Sequence, residues 1–182
     1  MSAITHYDIL PIPPVDEHTR YFEAGALRIG VEYRLLDDAI AAAHMRAVDA
    51  GGKYAEANGI DDCGVSLHVF GHQDGEWREL LRFDCFGEDP HYHYLSKRDK
   101  MNDMVHMDPI ANGDALAWAL ERIRTRLPQM LARAGAGDVV RKLDVAAVEA
   151  ALPRVAEAAY RARYEHDDDA VHAAALQARA TQ

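Results

Sequence analysis

Cysteine is scarce. Only Cys63 and Cys85 occur, as neither a CxxC pair nor a framework able to staple a secreted domain. The sequence therefore predicts two thiols not bonded to each other, and a cytoplasmic setting. Long hydrophobic runs are missing too: none approaches the ~20 residues that cross a bilayer. The start, Met1-Ser2-Ala3-Ile4-Thr5-His6, lacks the basic and apolar regions of a signal peptide. Positive charge is in deficit, with 20 basic against 30 acidic residues and a formal net charge of -10. Such a chain gains little from counterion release on phosphate, which argues against general nucleic-acid binding. No nucleophile elbow, phosphate loop or dinucleotide fingerprint is present. Sixteen of the twenty basic residues are Arg and alanine is abundant, as in a bacterial genome rich in G and C; no function follows from that.

What is present suffices for one domain over residues 1–182. At 182 residues and 49% apolar composition, folding can bury about 70% of the unfolded surface without a staple. Pro11, Pro13 and Pro14 make residues 1–15 an extended arm. Leu27, Ile29, Val31 and Tyr33 alternate with Arg28, Gly30 and Glu32, a half-buried strand over 27–34. Asp37 or Asp38 caps a helix through Ile40, Ala43, His44, Ala47 and Val48, closed by Gly51-Gly52. Residues 58–64 read as loop. A β-meander follows over 65–95: Val65 to His72, Glu76 to Phe86 and His91 to Leu95. Residues 97–111 read as loop, with Met101, Met104 and Met107 packing on the sheet.

The remainder, 112–180, is helical. Asn112 or Asp114 opens a helix with Leu116, Leu120, Ile123 and Leu127 on one stripe, bent or restarted at Pro128. Asp144 caps another through Val148, Leu152, Val155 and Ala159, with a kink or break at Pro153. Residues 169–180 form a weak terminal helix. The order predicts an α+β fold, an antiparallel sheet packed against helices with a helical C-terminal third.

Register decides which side chains meet. A three-residue loop, Gln73-Asp74-Gly75, pairs Val65 with Phe83, Leu67 with Leu81 and Gly71 with Trp77, which keeps one face apolar. A four-residue turn then sets Phe86 against His91, Cys85 against Tyr92 and Asp84 against His93. The apolar face carries Val65, Leu67, Val69, Trp77, Leu81, Phe83, Cys85, Tyr92 and Tyr94. The other carries Ser66, His68, Phe70, Arg78, Leu80, Arg82, Asp84, Phe86, His91 and His93.

Two chemistries suit that second face. His91 and His93, at i and i+2 on one strand, can bind one divalent metal, with His68 or Asp84 completing the sphere. Without a metal, Asp84 would orient His93 as general acid or base, and Arg82 or Arg78 would hold a small anionic ligand. Hydrolysis fits either. Cross-strand Asp–His and Arg–Asp pairs also stabilise sheet faces with no chemistry at all. His44 on its helix stripe reads as a packed histidine, and Cys85 as an inert buried thiol.

The stretch Leu80-Leu81-Arg82-Phe83-Asp84-Cys85-Phe86, then Asp89-Pro90-His91-Tyr92-His93, resembles a local pattern in small uncharacterised bacterial proteins. Its RxD followed by HxH is similar to a motif of TumE-type toxins of toxin–antitoxin systems. The resemblance spans about fifteen residues and implies that Arg82, Asp84, His91 and His93 matter. It carries no activity with it: the helical C-terminal region has no counterpart there, and the acidic charge suits an RNA-targeting toxin poorly. A functional face would be a concave pocket under a helix or under residues 97–111, because charged groups need partial exclusion of water to shift their pKa values. The competing class is an interaction or homodimerisation module built on the C-terminal helices, which would leave a large apolar stripe uncovered.

Overall fold

The computed structural model describes residues 4–48 and 59–166. Seven strands, β1 (Ile4–Tyr7), β2 (Arg20–Ala24), β3 (Leu27–Asp37), β4 (Asp61–Gln73), β5 (Glu76–Phe86), β6 (His91–Ser96) and β7 (Met101–His106), form one sheet of order β1-β7-β6-β5-β4-β3-β2. Every pairing is antiparallel. From β2 to β7 the chain is a meander, whereas β1 lies at the far edge beside β7. The segment after β1 must therefore cross the whole sheet to reach β2. Six strand spacings are about 29 Å, and residues 8–19 can reach about 40 Å when extended. A short 3-10 turn, Asp16–His18, ends the crossing. The proline-rich arm is thus a strap across one face, and α1 (Asp38–Val48) sits beside it. Asp37 accepts the Ile40 amide at 2.8 Å and caps α1.

The other face carries α3 (Ala115–Arg133) and α5 (Val145–Glu165), with the short α2 (Pro109–Asn112) and α4 (Gly137–Val140) at their ends. Asp114 and Asp144 cap the two long helices. Leu116, Ile123, Leu127, Leu131, Val148 and Val155 pack onto Ile29, Val31, Leu67, Val69, Leu81 and Phe83, all buried. The stripes that a docking module would leave open on these helices are therefore covered within the chain. Both helices run on through Pro128 and Pro153, so neither proline restarts or breaks its helix. Packing of Leu127, Met130, Leu131, Leu152 and Val155 outweighs the ~3 kcal/mol that an interior proline costs. Among the described residues no helix is long and apolar enough to cross a membrane. Residues 169–180 and Gly51-Gly52 lie outside the described residues.

Three expectations about the sheet need correction. Residues 101–106 form β7 rather than loop, and β4 begins at Asp61 rather than Val65. The β4–β5 turn has two residues, not three. Gln73 pairs with Glu76, and Asp74 and Gly75 both have positive φ, as a type I′ turn requires. A β-bulge then intervenes. Val69 pairs with Leu81 and Phe70 with Glu79, so Leu80 is the extra residue. Beyond the bulge Val65 meets Cys85 and Leu67 meets Phe83. Leu81 to Phe86 therefore keep their expected faces, but slide two residues along β4. On the turn side of the bulge the faces exchange. Trp77 pairs with His72 and stacks edge-on against it, beneath Arg28, while Arg78 pairs with Gly71. Leu80 joins the core at 1% exposure instead of facing the polar side. The room for it comes from Gly71, where a Cβ would stand 2.7 Å from Leu80 Cδ1 and 2.9 Å from Val139 Cγ1.

Leu80→Ala is expected to cost about 2–5 kcal/mol, the range for truncating a buried leucine. Urea unfolding measures it. A cost below about 1 kcal/mol would return Leu80 to the polar face.

Candidate metal centre

The β5–β6 pairing sets Arg82 opposite His93 and Asp84 opposite His91, two residues from the expected register but with the same faces. Asp84, His91 and His93 therefore meet beneath the strap. Each offers one donor atom, and the three atoms lie within 4.8 Å of one another. The Asp84 Oδ2 atom is 3.3 Å from His91 Nε2 and 3.3 Å from His93 Nε2. These separations exceed the usual 2.7–3.2 Å of an N–H···O bond. Those two separations fit donors around a tetrahedral ion, which stand about 3.3–3.6 Å apart when metal–ligand bonds are about 2.0–2.2 Å; the two Nε2 atoms lie within 4.8 Å of each other.

The outer nitrogens of both rings are committed. His91 Nδ1 donates to the Asp89 carbonyl at 2.7 Å. His93 Nδ1 faces Asn102 Oδ1 at 2.7 Å, and Asn102 Nδ2 donates to the Ile9 carbonyl at 3.0 Å. Because the amide nitrogen is engaged by a carbonyl, the Asn102 oxygen must accept, so His93 Nδ1 carries the hydrogen. A neutral ring protonated at Nδ1 has its lone pair at Nε2. Both Nε2 atoms point at the same carboxylate oxygen, and Ser66 Oγ donates to the other Asp84 oxygen. Ring orientation fixed by a carbonyl or amide behind each histidine is the outer arrangement typical of metal-ligating imidazoles.

The electrostatics follow the geometry. Burial alone would raise the Asp84 pKa, but the neighbouring His91 and His93 side chains and the Arg82 charge hold it well below the usual carboxylate range. Burial works against a charge on His91, yet Asp84 and Asp89 raise its pKa. For His93 burial wins, helped by His91 and Arg82, and its pKa falls. Burial also raises the Cys85 thiol, so it is a packed, protonated group on the helix face. Cys63 and Cys85 are both buried and not bonded to each other.

Of the other residues singled out in the sequence, Arg82 lines the same cavity without joining the donors, and His68 and Arg78 fall elsewhere. His68 does not reach the donor set: its Nδ1 meets Glu79 at 2.7 Å and its Nε2 meets Glu32 at 3.2 Å. Arg82 bonds Glu79 through Nε at 2.8 Å and Nη2 at 2.7 Å, and the Ile12 carbonyl through Nη1 at 2.7 Å. Its guanidinium is thus a fastening for the strap. Arg78 faces Asp74 and Glu76 on the other side of the sheet. Glu79 is pulled down to about 2, against its burial, by Arg82 and His68. Glu79, Asn102 and Arg34 were missed by the sequence reading. The bulge hid the first, the unrecognised β7 the second, and Arg34 fell at the end of the strand read over 27–34, which in the structure continues to Asp37. The cover is a helix, α1, together with the strap, and Asn102 and Met104 of residues 97–111 contribute to the lining. A cavity of about 200 Å³ lies under it, lined by Leu10, Ile12, Met45 and Met104 together with Arg34 and the three donors.

The chain belongs to the DUF7700 family. That family, described as a domain of unknown function, matches residues 21–159, a span holding Asp84, His91, His93, Asn102 and Arg34. Neither a curated protein nor a solved structure matches the chain.

Asp84→Asn tests the buried carboxylate with chelator present. Its folded pKa lies below the unfolded value of about 3.9. Its contribution is therefore complete above that pH and lost as pH falls through the folded value. The variant is expected to lose about 3 kcal/mol at pH 7, as when one partner of a buried pair is removed. The gap from wild type should narrow as pH falls below about 4. Urea unfolding across pH 7 to 3 measures both; a gap independent of pH would contradict the assignment.

Proposed function

We propose that Asp84, His91 and His93 hold one divalent ion, zinc by the tetrahedral spacing, and that this ion activates water for hydrolysis of a small molecule bound under the strap. The single observation that carries this reading is the pair of Nε2 atoms turned on one carboxylate oxygen while both Nδ1 atoms donate elsewhere. Two neutral imidazoles so placed set lone pairs against a carboxylate. A cation between them converts that repulsion into three bonds. Three protein donors leave a fourth position for water or substrate, the pattern of catalytic rather than structural zinc sites. Bound water at such an ion reaches a pKa near 7 and supplies hydroxide without a separate base. The Ser66, Asn102 and Asp89 contacts would hold the donors in orientation behind the ion. The cavity is smaller than the ~300–1,000 Å³ of pockets for drug-sized ligands, which limits the substrate to a small molecule.

Metal-stripped protein dialysed against zinc, then analysed for metal and by native mass spectrometry, is expected to hold one zinc per chain. Asp84→Ala and His93→Ala should abolish binding, and Asn102→Ala should weaken it about 10–100-fold as an outer partner. Wild type without bound metal, or binding unaffected by Asp84→Ala, would overturn the proposal.

A further inference from the structure

We propose that the cavity takes a small carboxylate with a short apolar chain, its carboxylate gripped by Arg34 at the position now held by the Ile12 carbonyl. This rests on the metal reading above and adds the class of ligand.

Charge supplies the first argument. The buried face holds three carboxylates, Glu32, Glu79 and Asp84, and two guanidiniums, Arg34 and Arg82. Glu79 is 13% exposed at its side chain and the others 9% or less. Before any ion is added, and with the histidine ligands neutral, these groups sum to one negative charge. A divalent ion turns that into one positive charge. A buried surplus of that kind is costly until an anion compensates it.

The hydrogen bonds identify where the anion sits. Every nitrogen of Arg82 is engaged at 2.8 Å or less, two by Glu79 and one by the Ile12 carbonyl. Arg34 is not so held. Its Nη1 and Nη2 atoms reach the Ile12 carbonyl only at 3.3 and 3.2 Å, and Nη2 reaches the Pro13 carbonyl at 3.4 Å. Its Nε lies 3.7 Å from Glu32, beyond hydrogen-bond length. A planar fork suited to two carboxylate oxygens is thus set, at long distance, on two neutral carbonyls. Burial and repulsion from Arg82 lower the Arg34 pKa, which agrees with a cation short of partners. The Ile12 oxygen, shared by both arginines, marks the place that a carboxylate oxygen would occupy.

The lining selects among anions. Leu10, Pro11, Ile12, Leu36, Met45 and Met104 surround the cavity. That wall fits a short hydrocarbon tail better than the polar oxygens of phosphate. Entry displaces Ile12, so the strap lifts when the ligand binds. Between β1 and the 3-10 turn it is held by side chains rather than by ladder bonds: Asn102 on Ile9, His44 on Leu10 and the arginines on Ile12.

The test uses the full chain loaded with cobalt(II), whose visible spectrum reports its coordination. Butyrate, acetate and inorganic phosphate are titrated separately. Butyrate is expected to change the spectrum saturably and more tightly than acetate, with phosphate weakest. Arg34→Met should retain the cobalt spectrum but lose at least tenfold in butyrate affinity. Arg34→Lys, which keeps the charge without the fork, should fall between, and it carries the test if Arg34→Met fails to fold. Absence of a protein-bound cobalt spectrum overturns the metal reading itself. Cobalt binding without a butyrate response, phosphate binding more tightly than butyrate, or undiminished butyrate binding in both arginine variants overturns this inference alone.

Discussion

Arg82 is 2% exposed, and the polar half of the structure is arranged around keeping that charge paired. Its fork takes Glu79, Glu79 takes His68, and His68 takes Glu32. Glu32 in turn receives the Val15 amide at the end of the strap. The remaining Arg82 nitrogen fixes Ile12 in the middle of it. An isolated buried guanidinium would be prohibitive, and removing one partner of such a chain typically costs several kcal/mol. The strap is therefore part of how the sheet tolerates charge on a buried face.

The same chain of contacts brings the strap to the donor set. Asn102 bonds both the His93 ring and the Ile9 carbonyl, so one side chain orients a ligand and fastens the cover. Asp84 neighbours Arg82 along β5 and feels its charge. Site and cover thus form one polar cluster, separated by the sheet from the apolar core beneath α3 and α5. Two-sided burial explains why a protein of this size has charged residues at strand centres.

Much of the fold was legible because periodicity in β3, β4 and β5 reports burial directly. The helix starts were legible for a similar reason, since Asp37, Asp114 and Asp144 satisfy orphan amides locally. The meander register was not. Both turns were misassigned, yet beyond the bulge and across β5–β6 the slip was by two residues. Side chains alternate with period two, so Arg82, Asp84, His91 and His93 still came out on one face. Where the slip was odd, at Trp77 and Arg78, the faces came out reversed. Nothing in Glu79-Leu80-Leu81 marks Leu80 as the bulged residue. Its position is set by the space Gly71 leaves against Val139.

The sequence by itself determined the α+β class, the caps, the apolar face and the RxD…HxH residues that share the opposite face. Each of these follows from local periodicity or from side-chain-to-amide contacts only a few residues apart. Tertiary structure alone decided that Asp84 and not His68 joins His91 and His93. It also decided that Asn102 stands behind His93 and that Ile12 lies over Arg34 and Arg82. These meetings link residues up to 93 positions apart, as Ile9 and Asn102 are. They depend on a bulge, an edge strand and a crossing arm, and local sequence carries no record of which distant backbone group will satisfy a buried charge.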